Sequence, residues 1–330
     1  MPNPKISVAM ATYNGERFLQ EQLDSIARQT LLPHELVVCD DGSTDGTLDI
    51  LHRFAAQAPF PVRIHQNEAR LGFGFNFLGA LGRCTGDLVA FSDQDDIWKE
   101  EKLRVCAEAM RDPTVGMVSH SARVLAMGPS PLQIRLPDHP DRWIENCSQL
   151  PVHRAIVGFS IVLRRVVLER SPVPVYDRLR AAWAAHDRWA VAAALAYGRI
   201  KLLADELALY RLHESNVSLR QPAVGAARFA PASLTFERGH EINTGTAGFI
   251  RYAASFCDAR AATIFLEYAE ELERVGYLYL DRAYLHRTCG QRIRALRAFA
   301  TMIAKGDYSP RGFGLKGFLR DAFLVALWRA

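Results

Sequence analysis

Apolar and polar positions come in short blocks from the first residues onward. "ISVAMAT" (6–12) is an apolar run of strand length, and "ERFLQEQLDSIARQ" (16–29) then sets Phe18, Leu19, Leu23 and Ile26 at helical spacing. The alternation repeats. "ELVVCDD" (35–41), "VRIHQ" (62–66) and "DLVAFSD" (87–93) read as strands, with "TLDILHRFAAQ" (47–57) and "NFLGALGRC" (76–84) as helices between them. Strand–helix repetition of this kind predicts an α/β fold, a mostly parallel sheet covered by helices. Continuous apolar strands fit burial on both faces.

The pattern continues less regularly. A helix is expected from Lys99 to about Met110, then a strand over "VGMVSHSARVL" (115–125). Residues 126–150 carry Pro129, Pro131, Pro137 and Pro140 and read as an irregular insertion. Strands are expected over 158–169 and 202–212. Between them lies the helix "HDRWAVAAALAY" (186–197), closed by Gly198 as a C-terminal cap. Beyond Ser218 the chain turns helical throughout. The reading is a first domain over 1–218 and a helical, basic region over 219–330.

Charge sharpens that division. The net charge is +4 over 330 residues, but residues 1–218 hold 24 Lys and Arg against 26 Asp and Glu, and the rest hold 16 against 10. A near-neutral body with a basic tail argues against a nucleic-acid binder, whose basic footprint would lie on the main fold. It allows contact with acidic lipid head groups. The tail segment "GLKGFLRDAFLVALWRA" mixes Leu, Phe and Trp with Lys and Arg, as interfacial helices do; a helix packed on the first domain reads equally well. Six scattered cysteines without metal spacing suit reduced, buried thiols. "MPNPKISVAMATYNG" lacks the apolar core of a secretory signal, and no apolar run reaches the roughly 18 residues of a membrane span. The expectation is a cytoplasmic protein, peripheral at most at the inner face of the membrane.

In α/β sheets, ligands bind outside the carboxyl ends of strands. Polar clusters sit at three such ends: "ATYNGE" (11–16), "CDDGSTD" (39–45) and "SDQDD" (92–96). Turn formation alone accounts for the middle one; three in succession point to a ligand. In an extended segment Asp93 and Asp95 point to one side. Two such carboxylates suit Mg²⁺ or Mn²⁺, which take one or two protein carboxylates and complete their shell with substrate phosphates. The competing reading makes Asp95 or Asp96 the cap of a helix starting near Trp98.

Together, "SVAMATYNGERFLQEQLDSIARQT", "ELVVCDDGSTDGT" and "DLVAFSDQDDIW" resemble, in order and spacing, the nucleotide-sugar domain of family 2 glycosyltransferases, the inverting group with the GT-A fold. The resemblance covers roughly residues 4–218. "SDQDDIW" with "AHDRWAVAAALAYGRI" and "YRLHESNVS" is most similar to bacterial rhamnosyltransferases of surface polysaccharide assembly.

That resemblance implies roles. Thr12, Tyr13 and Glu16 would border the nucleotide, Asp41 would hydrogen-bond the base, and Arg70 would flank it. Asp93 and Asp95 match the family's DXD pair, Asp93 towards ribose and metal and Asp95 as direct ligand. His213 would complete the metal shell, with Arg211 near the phosphates. Asp187 matches the catalytic acid, the base that takes the acceptor hydroxyl's proton; its competing reading is a helix cap. His186 stands where the family usually has another acid and would orient the acceptor. Trp98 and Trp189 would line the sugar or acceptor face, or simply pack.

The function implied is inverting transfer of a sugar, rhamnose from dTDP-rhamnose, from a nucleotide diphosphate donor to a hydroxyl of a lipid-linked surface glycan. A UDP-hexose or UDP-hexosamine transferase, or a non-catalytic nucleotide-sugar binder, are the alternatives.

Overall fold

The computed structural model describes residues 3–125, 131–150, 156–213, 216, 232–288, 292–305, 307 and 318. In chain order the first part runs β1 (Ile6–Thr12), α1 (Leu19–Ala27), β2 (Glu35–Asp40), α2 (Thr47–Ala55), β3 (Val62–Gln66), α3 (Phe73–Gly82) and β4 (Leu88–Ser92). Then come β5 (Ile97–Trp98), α4 (Lys102–Ala109), β6 (Val115–Leu125), β7 (Pro131–Arg135), β8 (Arg142–Ile144), β9 (Ile161–Arg164), α5 (Val167–Arg170), α6 (His186–Tyr197) and β10 (Arg199–Arg211). Helices α7 (Ala232–Ala254), α8 (Ala259–Thr288) and α9 (Arg292–Ala304) follow.

The strands form one sheet in the order β3-β2-β1-β4-β9-β6-β10-β5, with β7 on β6 and β8 on β10. Strands β3, β2, β1 and β4 are mutually parallel, as are β6 and β10. Strand β9 runs antiparallel to both β4 and β6, so the sheet is parallel on its first side and mixed on its second. Helix-covered strands need apolar side chains on both faces. Ile6, Val8, Met10, Val37, Val38, Leu88, Val89 and Phe91 are accordingly all buried.

Parallel register decides where the site falls. Thr12 pairs with Asp40 and Met10 with Ser92, so β1, β2 and β4 end side by side and their following loops meet at one edge.

The chain divides into two compact units. One comprises residues 1–149, 154–212 and 249–267; the other comprises 150–153, 213–248 and 268–330. Within the second, Leu278, Leu285, Ala298 and Met302 form a small apolar core. No helix among the described residues is long and apolar enough to cross a membrane. The tail segment 314–330 lies outside the described residues except for Phe318.

Several expectations need correction. The proline-rich insertion is not wholly irregular: β7 pairs antiparallel with β6, and β8 with β10. The strand expected over 158–169 is a 3-10 turn (Gly158–Ser160), the short β9 and the single helical turn α5. No helix starts at Trp98. Ile97 and Trp98 instead pair with Leu209 and Ala208, and α4 begins at Lys102. Gly198 is the C-terminal cap of α6 as expected, its N–H donating to the Ala194 carbonyl, and its φ of −170° is extended backbone. Glycine is required there by close approach, because a Cβ would stand 2.2 Å from the Thr114 carbonyl oxygen.

Gly74 tests the most consequential of these close approaches. A Cβ at this position in α3 would lie 1.8 Å from the carbonyl oxygen of Ala184, in the buried lead-in to α6. Neither side can yield without moving backbone. Gly74→Ala should therefore destabilise the protein by about 1–3 kcal/mol, the usual scale of overpacking, measured as a lower urea midpoint at unchanged m-value.

Candidate active site

The first two strand-end loops are laced together before any ligand is considered. Asn14 sits at φ 47° and accepts the Thr44 N–H through Oδ1 (2.8 Å), while its own N–H donates to Ser43 Oγ (2.9 Å). Glu16 accepts the Gly46 N–H (3.0 Å). Buried Thr12 donates to Asp40 Oδ1 (2.8 Å), and Asp40 Oδ2 takes the N–H groups of Gly42 and Ser43. Gly42 at φ 82° makes that turn possible.

Asp41, expected at the base, is buried and holds the next loop. Its Oδ1 accepts the Leu71 N–H (2.7 Å) and its Oδ2 the Gly72 N–H (2.9 Å). Arg70 reaches the same carboxylate at 4.0 Å and lays its guanidinium 3.9 Å from the centroid of the half-exposed Tyr13 ring. Tyr13 and Arg70 thus form a cation–π pair beside Asp41, a flat surface of the kind a base can stack on.

The third loop carries the acids. Ligand oxygens of Asp93, Asp95 and Asp96 lie within 4.8 Å of one another, the one such group among the described residues. Burial first, then Asp95 and Asp187, push the Asp93 carboxyl up to about 7. Burial, then Asp95 and Asp93, raise Asp96 well above the carboxylate range. Asp96 does not cap a helix: Oδ1 accepts the Arg211 N–H (3.0 Å), and buried Oδ2 has no hydrogen-bond partner. Such an orphaned oxygen within an acidic group fits a divalent cation, which these residues could hold.

Three residues not anticipated from the sequence hold this loop. Gln94 clamps the Tyr13 backbone, accepting its N–H (2.9 Å) and donating to its carbonyl (3.1 Å). Gly15 leaves room for that clamp, since a Cβ there would meet Gln94 Oε1 at 2.4 Å and displace its amide. Gln22, buried in α1, with its amide oriented to satisfy its neighbours, donates to the Asp96 carbonyl (2.6 Å) and accepts from Trp98 Nε1 (3.1 Å). Lys102 is the third. It is fully buried, donates to the Phe159 carbonyl (2.7 Å), and lies 3.5 Å from the Trp98 ring centroid. Burial pushes its ammonium down to about 7, against the pull of Cys106, Asp96 and Asp93. The acids thus have an internal counter-charge six residues further along the chain. A lone lysine in a helical pattern reads as solvent-facing, and only the unbroken apolar company of Leu103, Cys106 and Ala107 hints otherwise.

Arg211 and Trp98 have structural partners. The Arg211 guanidinium donates to the Asp95 carbonyl (2.9 Å) and to Glu21 (2.7 Å), bracing the acidic loop. Trp98 and Trp189 are buried rather than lining an open face. His213 belongs to the second compact unit, where it is buried and its N–H donates to Asn216 Oδ1 (2.5 Å).

Asp187 occupies the first turn of α6, one residue past the start, with Oδ1 on the Arg188 N–H (2.7 Å). The helix cap position is Ala185, so Asp187 is not the cap. Its charge contributes to the upward push on Asp93, which brings two stretches 94 positions apart to one site. His186 is buried, stacked on Phe77 at 4.1 Å and edge-on to Phe73 at 6.1 Å, with neither ring nitrogen hydrogen-bonded. Burial lowers its pKa, so the ring is neutral near pH 7.

A parallel half-sheet with laced loops and an acidic group at its carboxyl edge, continued by a mixed half carrying one further acid, defines a GT-A nucleotide-diphospho-sugar transferase fold. Residues 7–169 match the family model described as Glycosyl transferase family 2, and through this domain the chain belongs to that family. An uncharacterized glycosyltransferase of Nostoc sp. is 32% identical over 231 residues, 64% of this chain and 66% of its own length. A dTDP-rhamnosyl transferase of Shigella flexneri is 34% identical over 125 residues, 37% of this chain and 43% of its own. The chain thus spans less than two thirds of these curated relatives. Among solved structures, a mannosyltransferase from Pyrobaculum calidifontis in complex with GDP-mannose and Mn²⁺ superposes with a TM-score of 0.55. That match covers 99% of this chain and 86% of that one at 20% identity, which speaks to the fold alone.

The crowded acids give a stability prediction. Asp93 titrates near 7 in the folded protein against about 4 in an unfolded chain, so its ionisation destabilises the fold increasingly as pH rises from about 4 to about 7. Asp93→Asn should therefore stabilise the fold in EDTA at pH 8 by on the order of 1–3 kcal/mol, read as a higher melting temperature, and change little at pH 4. An equal or lower melting temperature at pH 8 would show that the repulsion is already relieved.

Proposed function

We propose that this chain is a metal-dependent inverting glycosyltransferase that moves rhamnose from dTDP-rhamnose to a hydroxyl of a growing, lipid-linked surface glycan. The observation that carries the reading is the convergence of Asp187 with Asp93 in one electrostatic site. A binder of nucleotide sugars needs the acidic loop but has no use for a second acid on α6. The donor assignment is supported by likeness to the Shigella protein over part of the chain.

In this reading Asp41 and the Tyr13–Arg70 pair receive the base, the first of these through the loop it orders. Asp95, with Asp93, would hold Mn²⁺ or Mg²⁺; that the Pyrobaculum enzyme was solved with Mn²⁺ supports this choice. When bound, such an ion supplies charge to the leaving diphosphate. Asp187 takes the proton of the acceptor hydroxyl as its oxygen attacks the anomeric carbon on the side away from the diphosphate. His186, neutral and stacked, keeps the start of α6 against α3 and so fixes Asp187 in place. The catalytic domain is proposed to span 1–218, with 219–330 serving acceptor or membrane.

Two measurements test this. A panel of nucleotide sugars with Mn²⁺ or Mg²⁺, assayed for nucleotide diphosphate release, should favour dTDP-rhamnose, and EDTA should abolish release. Preference for a UDP-hexose would overturn the donor, and full activity in EDTA the metal. Asp187→Asn keeps the shape of the side chain but removes the proton acceptor. It should leave donor binding intact while turnover falls roughly 10²-fold or more; turnover within about threefold of the parent would exclude a general base there.

A further inference from the structure

Exposed apolar side chains are concentrated at one place. Of the thirteen large hydrophobic residues exposed among the described ones, Val175, Tyr176, Leu179 and Trp183 fall within nine consecutive positions. Leu179, at 87% exposure, is the most open of all thirteen. Phe73, at the start of α3, is exposed as well.

The segment is anchored rather than loose. The Tyr252 hydroxyl donates to the Val175 carbonyl (2.9 Å), the Arg180 guanidinium lies over the Tyr252 ring, and Tyr176 packs edge-on against buried Phe75 at 5.1 Å. Its backbone is therefore held from beneath while Leu179 points outward. Water-exposed apolar side chains on a fixed backbone mark a contact surface. The segment also borders the site: Ala184 abuts Gly74, and Asp187 follows three residues later.

Charge identifies the partner. Asp177 is used up locally by the Leu179 N–H (2.8 Å) and by Arg180. Arg178 is exposed, with no ion pair among the described residues, beside the most open leucine. An apolar tip flanked by Arg, with Tyr and Trp at its base, matches the layering of a bilayer interface: acyl chains for Leu, the head-group level for the aromatic rings, anionic phosphates for Arg. We propose that residues 175–183 dock on an anionic phospholipid bilayer and bring the rim of the active site to the lipid surface. Its purpose rests on the reading of a lipid-linked acceptor; the docking itself requires no transfer.

The test is co-sedimentation of the full chain with vesicles of phosphatidylcholine alone or mixed with phosphatidylglycerol. The parent should bind the mixed vesicles, more weakly as salt rises. Leu179→Asp should lower partitioning about tenfold or more, the scale of keeping one leucine out of an apolar phase, and Arg178→Gln by severalfold. Brominated acyl chains should quench part of the tryptophan fluorescence, and Trp183→Phe should remove that part. Failure of the parent to bind, or binding of Leu179→Asp equal to the parent's, would overturn the proposal, the second by placing any membrane contact elsewhere, such as the basic tail. A change of oligomeric state in Leu179→Asp without a change in vesicle binding would overturn it in favour of a second copy of the chain. Release of nucleotide diphosphate with a soluble saccharide acceptor should be unchanged in Leu179→Asp. Loss of release in the parent would count against the transferase reading while leaving vesicle binding to be judged by itself.

Discussion

The first compact unit is organised around one electrostatic conflict: three carboxylates gathered at the end of a buried strand. Left alone, such a group would protonate, spread into solvent or unravel the strand end. Here it is boxed in. Buried Lys102 pulls on Asp93 and Asp96, Arg211 braces the backbone through the Asp95 carbonyl, and Gln22 and Gln94 tie the loop to α1 and to the first strand-end loop. The neighbouring loops are held just as firmly, with Asn14, Glu16 and Asp41 all spending polar groups on backbone N–H donors. The outcome is a braced acidic centre in which burial and mutual repulsion oppose the ionisation of Asp93 and Asp96. That is an unfavourable arrangement for an empty protein and a suitable one for receiving a cation with a diphosphate.

Several functional-looking polar residues therefore act on the loops first. Thr12, Glu16 and Asp41 are the residues that the family resemblance assigns to the nucleotide, yet each spends its hydrogen bonds inside the protein. Selectivity for a base would then come from the shape of the loops they order, together with the Tyr13–Arg70 surface, more than from the carboxylates directly.

Much of this was readable from the sequence, and the boundary follows the physics. Strands β1, β3 and β6 and helix α6 begin and end where their sequence patterns do; β1, β6 and α6 are buried along most of their length, whereas β3 is a half-buried edge strand. The strand-end position of Asp93 and Asp95 followed from the same pattern. What escaped was whatever depends on partners distant in sequence. The two-residue β5 exists only because Leu209 and Ala208 lie beside it. The apolar run 158–169 looks like one strand, but only four of its residues find partners in β4 and β6. Lys102 looks like a surface lysine until the acids are folded over it, and Gln94 is a neutral residue between charged ones whose clamp on Tyr13 spans 81 positions. Gly198 is the C-terminal cap that the helix pattern predicts, while its crowding by Thr114 cannot be inferred from that pattern.

The setting of His186 constrains how this protein could change. Its ring fills a slot between Phe77, Phe73 and Gly158, where even a Cβ on the glycine would collide with Nε2 at 2.3 Å. A carboxylate placed there would be walled by aromatic faces with no donor to meet it. Placing at 186 the acid that the family resemblance implies is thus not a single step, because positions 77, 158 and 186 pack as one interlocked unit.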